Sequence, residues 1–200
     1  HKDCRGNVFV VHNGIIENYE QLKQKLIKKG HRFASATDTE VIAHLIEDAI
    51  KKQDFPKAVQ STLKELRGTF GIVALSREHP GMLVAARFGS PLILGIGKDE
   101  YVIASDATAI LPLTNSVVYL NDGDMVTLSH DAYSLSDFRN PARGQGKNGK
   151  KLRREQTTIE WTSADSELSG FPHFMLKEIM EQPEALRRAC LGRLMQGEGT

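Results

Sequence analysis

The sequence lacks the marks of several protein classes. No apolar run approaches the roughly 20 residues that span a bilayer, and residues 1–7 contain no signal-peptide core. The only cysteines, Cys4 and Cys190, lie far apart and have no metal-ligand spacing, so both are expected to be free thiols. These absences argue against a membrane protein or a disulfide-rich secreted domain, and they predict a cytoplasmic location.

The charge is nearly balanced. The 200 residues carry 26 Lys and Arg against 25 Asp and Glu, a formal net charge of +1, so no broad field favours nucleic acid or an anionic membrane as a partner. The sequence also has no Ser-His-Asp set, paired carboxylates, phosphate-binding loop or zinc-type spacing. We therefore predict neither a cofactor nor a metal.

The first third of the chain contains three helical patterns. One has Asn18 as its N-cap and Gly30 just past its end. The second starts with a capping-box pattern, Thr37 followed by Glu40. The third has Pro56 in its first turn. Each carries one apolar stripe, which is typical of a helix packed on a larger core.

From Thr69 the pattern changes to short β-rich runs: "TFGIVALS", "MLVAAR", "PLILGIG" and "YVIAS". They predict consecutive antiparallel strands. "VVYL", "NDGD" and "MVTLS" indicate a hairpin, and "AYSLS" another strand. A sheet of at least six strands with helices packed on it gives the class α+β.

The C-terminal third of the chain contains a basic stretch, one more strand pattern and one more helical pattern. The basic stretch 139–151 is interpreted as a solvated loop rather than a binding patch. A strand is expected through Thr158 and Trp161. The segment "FPHFMLKEIMEQPEALRRACLGRL" is helical, and Pro183 should break or restart the helix.

Chemistry is suggested by "VFVVHNGIIENYEQL", residues 8–22, where a strand runs into His12, Asn13 and Gly14. Asn-Gly is common in tight turns, and His12 at a strand end is more often a packed residue than a base. A carboxamide and a glycine N–H that face one point can instead stabilise an oxyanion. In that interpretation the strand ends abruptly at these residues, and Gly14 permits close approach.

Asp38 has two interpretations. An acid in the first turn of a helix is stabilised by the positive end of the macrodipole. Beside a pocket it could pair with the α-ammonium of an amino-acid substrate. "RFGSPL", residues 87–92, and "IASD", residues 103–106, are more simply a turn between strands and a helix cap.

Six motifs in order resemble the class II glutamine amidotransferases, most closely the branch whose acceptor is fructose 6-phosphate: "VVHNGIIENYEQL", "TDTEVIAHLI", "LRGTFGIVAL", "AARFGSPLILGIG", "IASDATAILPLT" and "HFMLKEIMEQP". The resemblance implies an N-terminal nucleophile hydrolase fold, a four-layer αββα sandwich. In this family an N-terminal cysteine attacks the side-chain amide of glutamine. Asn13 and Gly14 correspond to the oxyanion hole, and Asp38, with Gly14, to the substrate-binding residues.

The resemblance also has departures. The family's nucleophile is the first residue of the mature enzyme, whereas this chain starts at His1, and Cys4 stands just before the strand that carries Asn13. We therefore expect an N-terminally truncated, inactive fragment. Residues 1–170 would be the C-terminal part of the glutaminase domain. Residues 171–200 would be a helical segment and the start of a linker to sugar isomerase domains, which bind fructose 6-phosphate in a homodimeric parent.

Two alternatives stay open. The chain could be the amidotransferase domain of another class II enzyme, of the amidophosphoribosyltransferase or asparagine synthetase type. It could also be a non-catalytic homologue that serves as a binding module. The "HFMLKEIMEQP" segment argues against the first, and the joint presence of Asn13, Gly14 and Asp38 argues against the second.

Overall fold

The computed structural model describes residues 1–130, 132–140, 152–159 and 170–190. The chain divides into two units, residues 1–160 and 161–200. The elements of the first unit are β1 (Val8–Ile16), α1 (Tyr19–Lys28), α2 (Thr39–Ile50), α3 (Phe55–Glu65), β2 (Gly68–Ser76), β3 (Leu83–Phe88), β4 (Ile93–Ile96), β5 (Tyr101–Ala104), a 3₁₀ turn (Ala107–Ala109), β6 (Ser116–Tyr119), β7 (Asp124–Leu128), β8 (Tyr133–Asp137) and β9 (Thr157–Thr158). The second unit contains α4 (Phe174–Cys190).

The described strands form two antiparallel sheets. The first has the order β1-β2-β3-β7-β8, and the second has the order β5-β4-β6-β9. The expectation of one sheet was therefore wrong. The chain enters the second sheet after β3 and returns to the first at β7, so the runs that look consecutive in sequence belong to different layers.

In the described part of the chain, three apolar clusters hold these layers together. One lies between helices α1 to α3 and the first sheet, and includes Leu26, Ile42 and Phe70. The next joins the two sheets, for example through Val126 and Leu94. The last covers the far side of the second sheet, where the 3₁₀ turn packs. The α+β class with helices on a sheet is confirmed.

The predicted "NDGD" hairpin was wrong, because β6 and β7 lie in different sheets. The segment "NDGD", which is the loop and the first residue of β7, makes contacts with residues outside it. Asp122 accepts a hydrogen bond from the Gly89 N–H at 3.0 Å, and Arg154 Nη2 lies 2.7 Å from Asp124 Oδ1. A turn sequence specifies a reversal of the chain but not the sheet to which the chain returns.

The second unit corrects another expectation. α4 is one helix from Phe174 to Cys190 with Pro183 inside it, so Pro183 does not break it. Proline leaves the carbonyl four residues earlier without a helical donor. That residue is Ile179, which is 50% exposed, so water can reach this position. Trp161, residues 141–151 of the basic loop and residues 191–200 lie outside the described residues.

Both cysteines are free thiols, as expected. Among the described residues, no helix is long and apolar enough to cross a membrane.

Candidate active site

The strand that carries the His-Asn-Gly motif does not end at it. β1 pairs with β2 along its whole length, with His12 opposite Ile72, Asn13 opposite Gly71 and Gly14 opposite Phe70. The predicted abrupt exit was therefore wrong. Because strand side chains alternate between faces, His12 points toward the helices, where its Nδ1 lies 3.0 Å from Thr39 Oγ1. Asn13 projects from the opposite face and is exposed.

Gly14 has a backbone reason to be glycine. Its φ is 142°, and a Cβ atom built at this position would lie 2.1 Å from the carbonyl oxygen of Thr69. Only glycine permits β2 to approach this closely. This packing requirement is independent of any role of the Gly14 N–H toward a ligand.

Asp38 joins the start of α2 to the end of β1. Asp38 occupies the N-cap position but makes no side-chain cap hydrogen bond. Its Oδ2 instead accepts a hydrogen bond from the Ile16 N–H at 2.7 Å. Its Oδ1 lies 3.4 Å from Thr39 Oγ1, a contact that leaves this oxygen able to accept further hydrogen bonds.

The predicted capping box at α2 was wrong. Glu40 accepts from the Ala34 and Ser35 N–H groups, each at 2.7 Å, so its carboxylate orders the preceding loop instead of bonding to Thr37.

Asn18 and Gly30 do flank α1 as expected, but the Asn18 side chain bonds to Glu65 and Arg67 rather than to its own helix. The Asn18 side chain, like that of Glu40, thus bonds to the backbone outside its own helix.

His12 is half-buried between β1 and α2. Burial lowers its pKa, and the opposing effect of the Asp38 charge is smaller. A lowered pKa favours the neutral imidazole at neutral pH. This supports the packed, hydrogen-bonded interpretation of His12.

The two weaker motifs have structural roles. Arg87 donates to the Leu120 carbonyl, and Gly89 adopts a φ of 75° at the crossover between the sheets. Asp106 caps the 3₁₀ turn by accepting from the Thr108 N–H at 2.7 Å. Hydrogen bonds from Thr108 hold the pKa of Asp106 below its usual range.

A cavity of about 610 Å³ lies at the far end of β2, lined by residues such as Leu75, Met82 and Tyr101, and it includes none of Asn13, Gly14 and Asp38. Those three residues lie along β1 and its junction with α2. The structure therefore brings Asp38 to the end of the strand that carries Asn13 and Gly14.

Comparison with known proteins decides the family. Residues 1–112, more than half of the chain, match the family model described as glutamine amidotransferase domain. The chain belongs to the glutamine amidotransferase family. All three candidate residues of this amidotransferase domain lie in the matched part.

Three curated relatives of the domain share one name. The glutamine–fructose-6-phosphate aminotransferases of Methanocaldococcus jannaschii, Thermococcus kodakarensis and Thermus thermophilus are 46%, 44% and 43% identical over 94%, 96% and 98% of this chain. The chain spans 17%, 31% and 30% of their respective lengths. The similarity thus covers nearly all of this chain and a minor part of each relative.

Solved structures show the same fold. The glutamine phosphoribosylpyrophosphate amidotransferase of B. subtilis superimposes with a TM-score of 0.59 at 24% identity, over 69% of this chain and 30% of that one. A structure titled as the allosteric regulatory enzyme of purine biosynthesis gives 0.56 at 26% identity, over 66% and 28%. The predicted fold class, the N-terminal nucleophile hydrolase type, is confirmed.

Proposed function

We propose that this chain is the glutaminase part of a glutamine–fructose-6-phosphate aminotransferase. Such an enzyme hydrolyses glutamine and transfers the ammonia to fructose 6-phosphate, which gives glutamate and glucosamine 6-phosphate. The observation that carries the proposal is the identity of 43–46% over 94–98% of the chain to three enzymes of that name. The position of Asp38 beside the strand of Asn13 and Gly14 supports it.

Each candidate residue has a role that its position permits. Asn13 is exposed on β1, so its carboxamide can donate to the oxyanion that forms when the glutamine amide is attacked. The Gly14 N–H is the second donor. Asp38 Oδ1 accepts the α-ammonium of glutamine, while Oδ2 stays on the Ile16 N–H.

The spacing along β1 suits one amino acid. Asn13 and Ile16 are three residues apart, on the order of 10 Å in an extended strand. A glutamine molecule with hydrogen bonds at both ends can bridge such a span. Its reacting amide would then lie at Asn13 and its ammonium at Asp38.

The domain boundaries, the oligomeric state of the parent protein and its location are also proposals. Residues 1–170 belong to the glutaminase domain, and residues 171–200 lead toward sugar isomerase domains that bind fructose 6-phosphate. A homodimeric parent and a cytoplasmic location stay predictions. The amidophosphoribosyltransferase alternative is less well supported, because its named representative is 24% identical whereas the aminotransferases exceed 40%.

The oxyanion role is tested with Asn13→Ala in the complete gene product that contains this sequence. A donor that acts only in the transition state should lower kcat for glutamine hydrolysis about 10²–10³-fold with little change in KM. Asn7→Ala is the matched control, because the Asn7 side chain donates to Glu78 just before the same strand. Near-normal kcat in a folded Asn13→Ala variant would refute the assignment.

The substrate-binding role is tested with Asp38→Asn, which keeps an acceptor for the Ile16 N–H but removes the charge. Loss of a charged hydrogen bond should raise KM for glutamine roughly 10- to 100-fold and change kcat less. Asp54→Asn, at the N-cap of α3, is the control. An unchanged KM would return Asp38 to a purely structural role.

A further inference from the structure

Four side chains that the candidate active site does not use converge beside α2: Cys4, His31, His44 and Glu47. Cys4 lies in the turn before β1, and His31 lies in the loop between α1 and α2. His44 and Glu47 are three residues apart on α2, so they share one face of the helix. Both histidines and Glu47 are buried, whereas Cys4 is exposed.

Four of the six distances between their ligand atoms are close to those around a tetrahedral ion, and the two from Cys4 Sγ to the histidines are at most 4.8 Å. The four atoms lie within 4.8 Å of one another. His31 Nδ1 is 3.1 Å from both His44 Nδ1 and Glu47 Oε2. Glu47 Oε2 is 3.6 Å from His44 Nδ1 and 3.7 Å from Cys4 Sγ. Ligands at the usual distances from a tetrahedral zinc are separated by roughly 3.3–3.7 Å.

The outer nitrogen of His31 is held by a carboxylate. Its Nε2 lies 2.9 Å from Asp48 Oδ1, and the Asp48 carboxylate also accepts from Lys29 and Lys51. Nε2 is therefore the nitrogen that donates to Asp48, and Nδ1 is the ring nitrogen that faces the cluster. An imidazole nitrogen that lies beside a carboxylate oxygen and a second imidazole nitrogen is in the position of a metal ligand.

The other two buried ligands also have charged side chains behind them, although His44 Nε2 makes no hydrogen bond within the described part of the chain. His44 Nε2 faces Glu40 Oε1 at 3.5 Å. Glu47 Oε1 is held by Arg5 at 3.0 Å, so Oε2 is the oxygen turned to the cluster. Carboxylates behind the imidazoles are the usual outer shell of a zinc site, where they fix the ring orientation and increase basicity.

We propose that Cys4, His31, His44 and Glu47 bind one zinc ion as a structural site. A thiolate, two imidazoles and a carboxylate form a mixed set that suits Zn²⁺. Four protein ligands fill the tetrahedron and leave no position for a substrate, so the role of the ion is to stabilise the fold. The exposed Cys4 provides the entry path that a metal needs.

The proposed zinc site connects segments that lead to the candidate active site. Cys4 precedes β1, which carries Asn13, and the loop of His31 leads to Asp38 at the start of α2. Zinc would fasten both segments to α2. The site is independent of the proposed glutaminase function and can be tested without measuring activity.

The first test is metal content. The purified protein is stripped with a chelator, reloaded with zinc sulfate and desalted, and its zinc is quantified. Wild type should retain about one zinc per chain, and Cys4→Ser should retain at least about fivefold less. Cys190→Ser removes the other free thiol and should behave as wild type. Less than about 0.1 zinc per wild-type chain, or equal zinc in wild type and Cys4→Ser, would overturn the proposal.

The second test identifies the ligands. Cobalt(II) in place of zinc should show a thiolate-to-cobalt charge-transfer band and the intense d–d bands of tetrahedral geometry in wild type and Cys190→Ser, but not in Cys4→Ser. A chelator should lower the melting temperature of wild type and leave that of Cys4→Ser unchanged, because only a site that binds metal gains stability from it. Octahedral spectra or a chelator effect equal in both variants would contradict the assigned ligands. Cys4 is exposed, so its variant should fold.

Discussion

At the scale of single residues, Gly14 is constrained by packing. Gly14→Ala places a Cβ against the Thr69 carbonyl and should lower the free energy of unfolding by roughly 2–4 kcal/mol. Gly81 is the matched control: its φ is also positive, at 75°, but nothing lies within 4 Å of a Cβ there, so Gly81→Ala should cost only about 1 kcal/mol. Urea unfolding of both variants measures the difference, and equal losses would show that β2 can move away.

His12 gives a pH prediction. Burial lowers its pKa in the folded protein, whereas the unfolded chain titrates near the ordinary value of about 6.5. Below that pH the unfolded state binds more protons, so the contribution of His12 to stability is fully present above about pH 6.5 and is lost as the pH falls toward the folded pKa. His12→Asn can keep the contact with Thr39 without titrating. Wild type should therefore lose more stability on acidification than this variant, and parallel pH profiles would disprove the assignment.

At the scale of elements, α2 and α3 begin differently. The Asp54 side chain caps α3 by accepting from the Lys57 N–H at 3.0 Å, whereas Thr37 forms no capping box at α2. Asp54→Ala should therefore destabilise the protein by about 1 kcal/mol, and Thr37→Ala should change it by less than about 0.5 kcal/mol. Chemical denaturation distinguishes the two. A larger loss for Thr37→Ala would restore the sequence-based assignment of the cap.

The same elements show what the sequence can predict. Apolar periodicity located α1 to α3 and the strand runs, because each pattern depends on near neighbours. It could not locate the Asp38–Ile16 hydrogen bond or the convergence of Cys4 with His31, since these contacts join residues more than 20 positions apart. The local patterns of Asn13, Gly14 and Asp38 suit a catalytic site as well as a turn and a helix terminus, and only the family resemblance favoured the catalytic interpretation.

At the scale of the whole molecule, β1 is the outer strand of its sheet. Residues 1–3 run beside Val8–Val10, as the Val10 N–H to His1 carbonyl bond of 2.8 Å shows. Beyond them Val11 and Ile15 are 66% and 67% exposed. An outer strand that exposes apolar side chains on one face of the sheet favours association.

We therefore expect the 200-residue chain to self-associate through this face. Replacing Val11 and Ile15 with Thr keeps strand propensity but removes apolar area, and should raise the concentration at which association begins at least about tenfold. Ile27→Thr, at a residue 45% exposed on α1, should have little effect. Sedimentation over a concentration series measures this. Unchanged association in the double variant would place the contact elsewhere.

The carboxylate of Asp38 also couples binding of the substrate to the separation of β1 from α2. One oxygen holds the Ile16 amide, and the other is the proposed partner of a substrate ammonium. Any fluctuation that separates β1 from α2 would therefore release both, and a bound amino acid would suppress that fluctuation by the factor 1 + [L]/Kd. Hydrogen exchange at the Ile16 amide thus becomes a direct reporter of how full the site is.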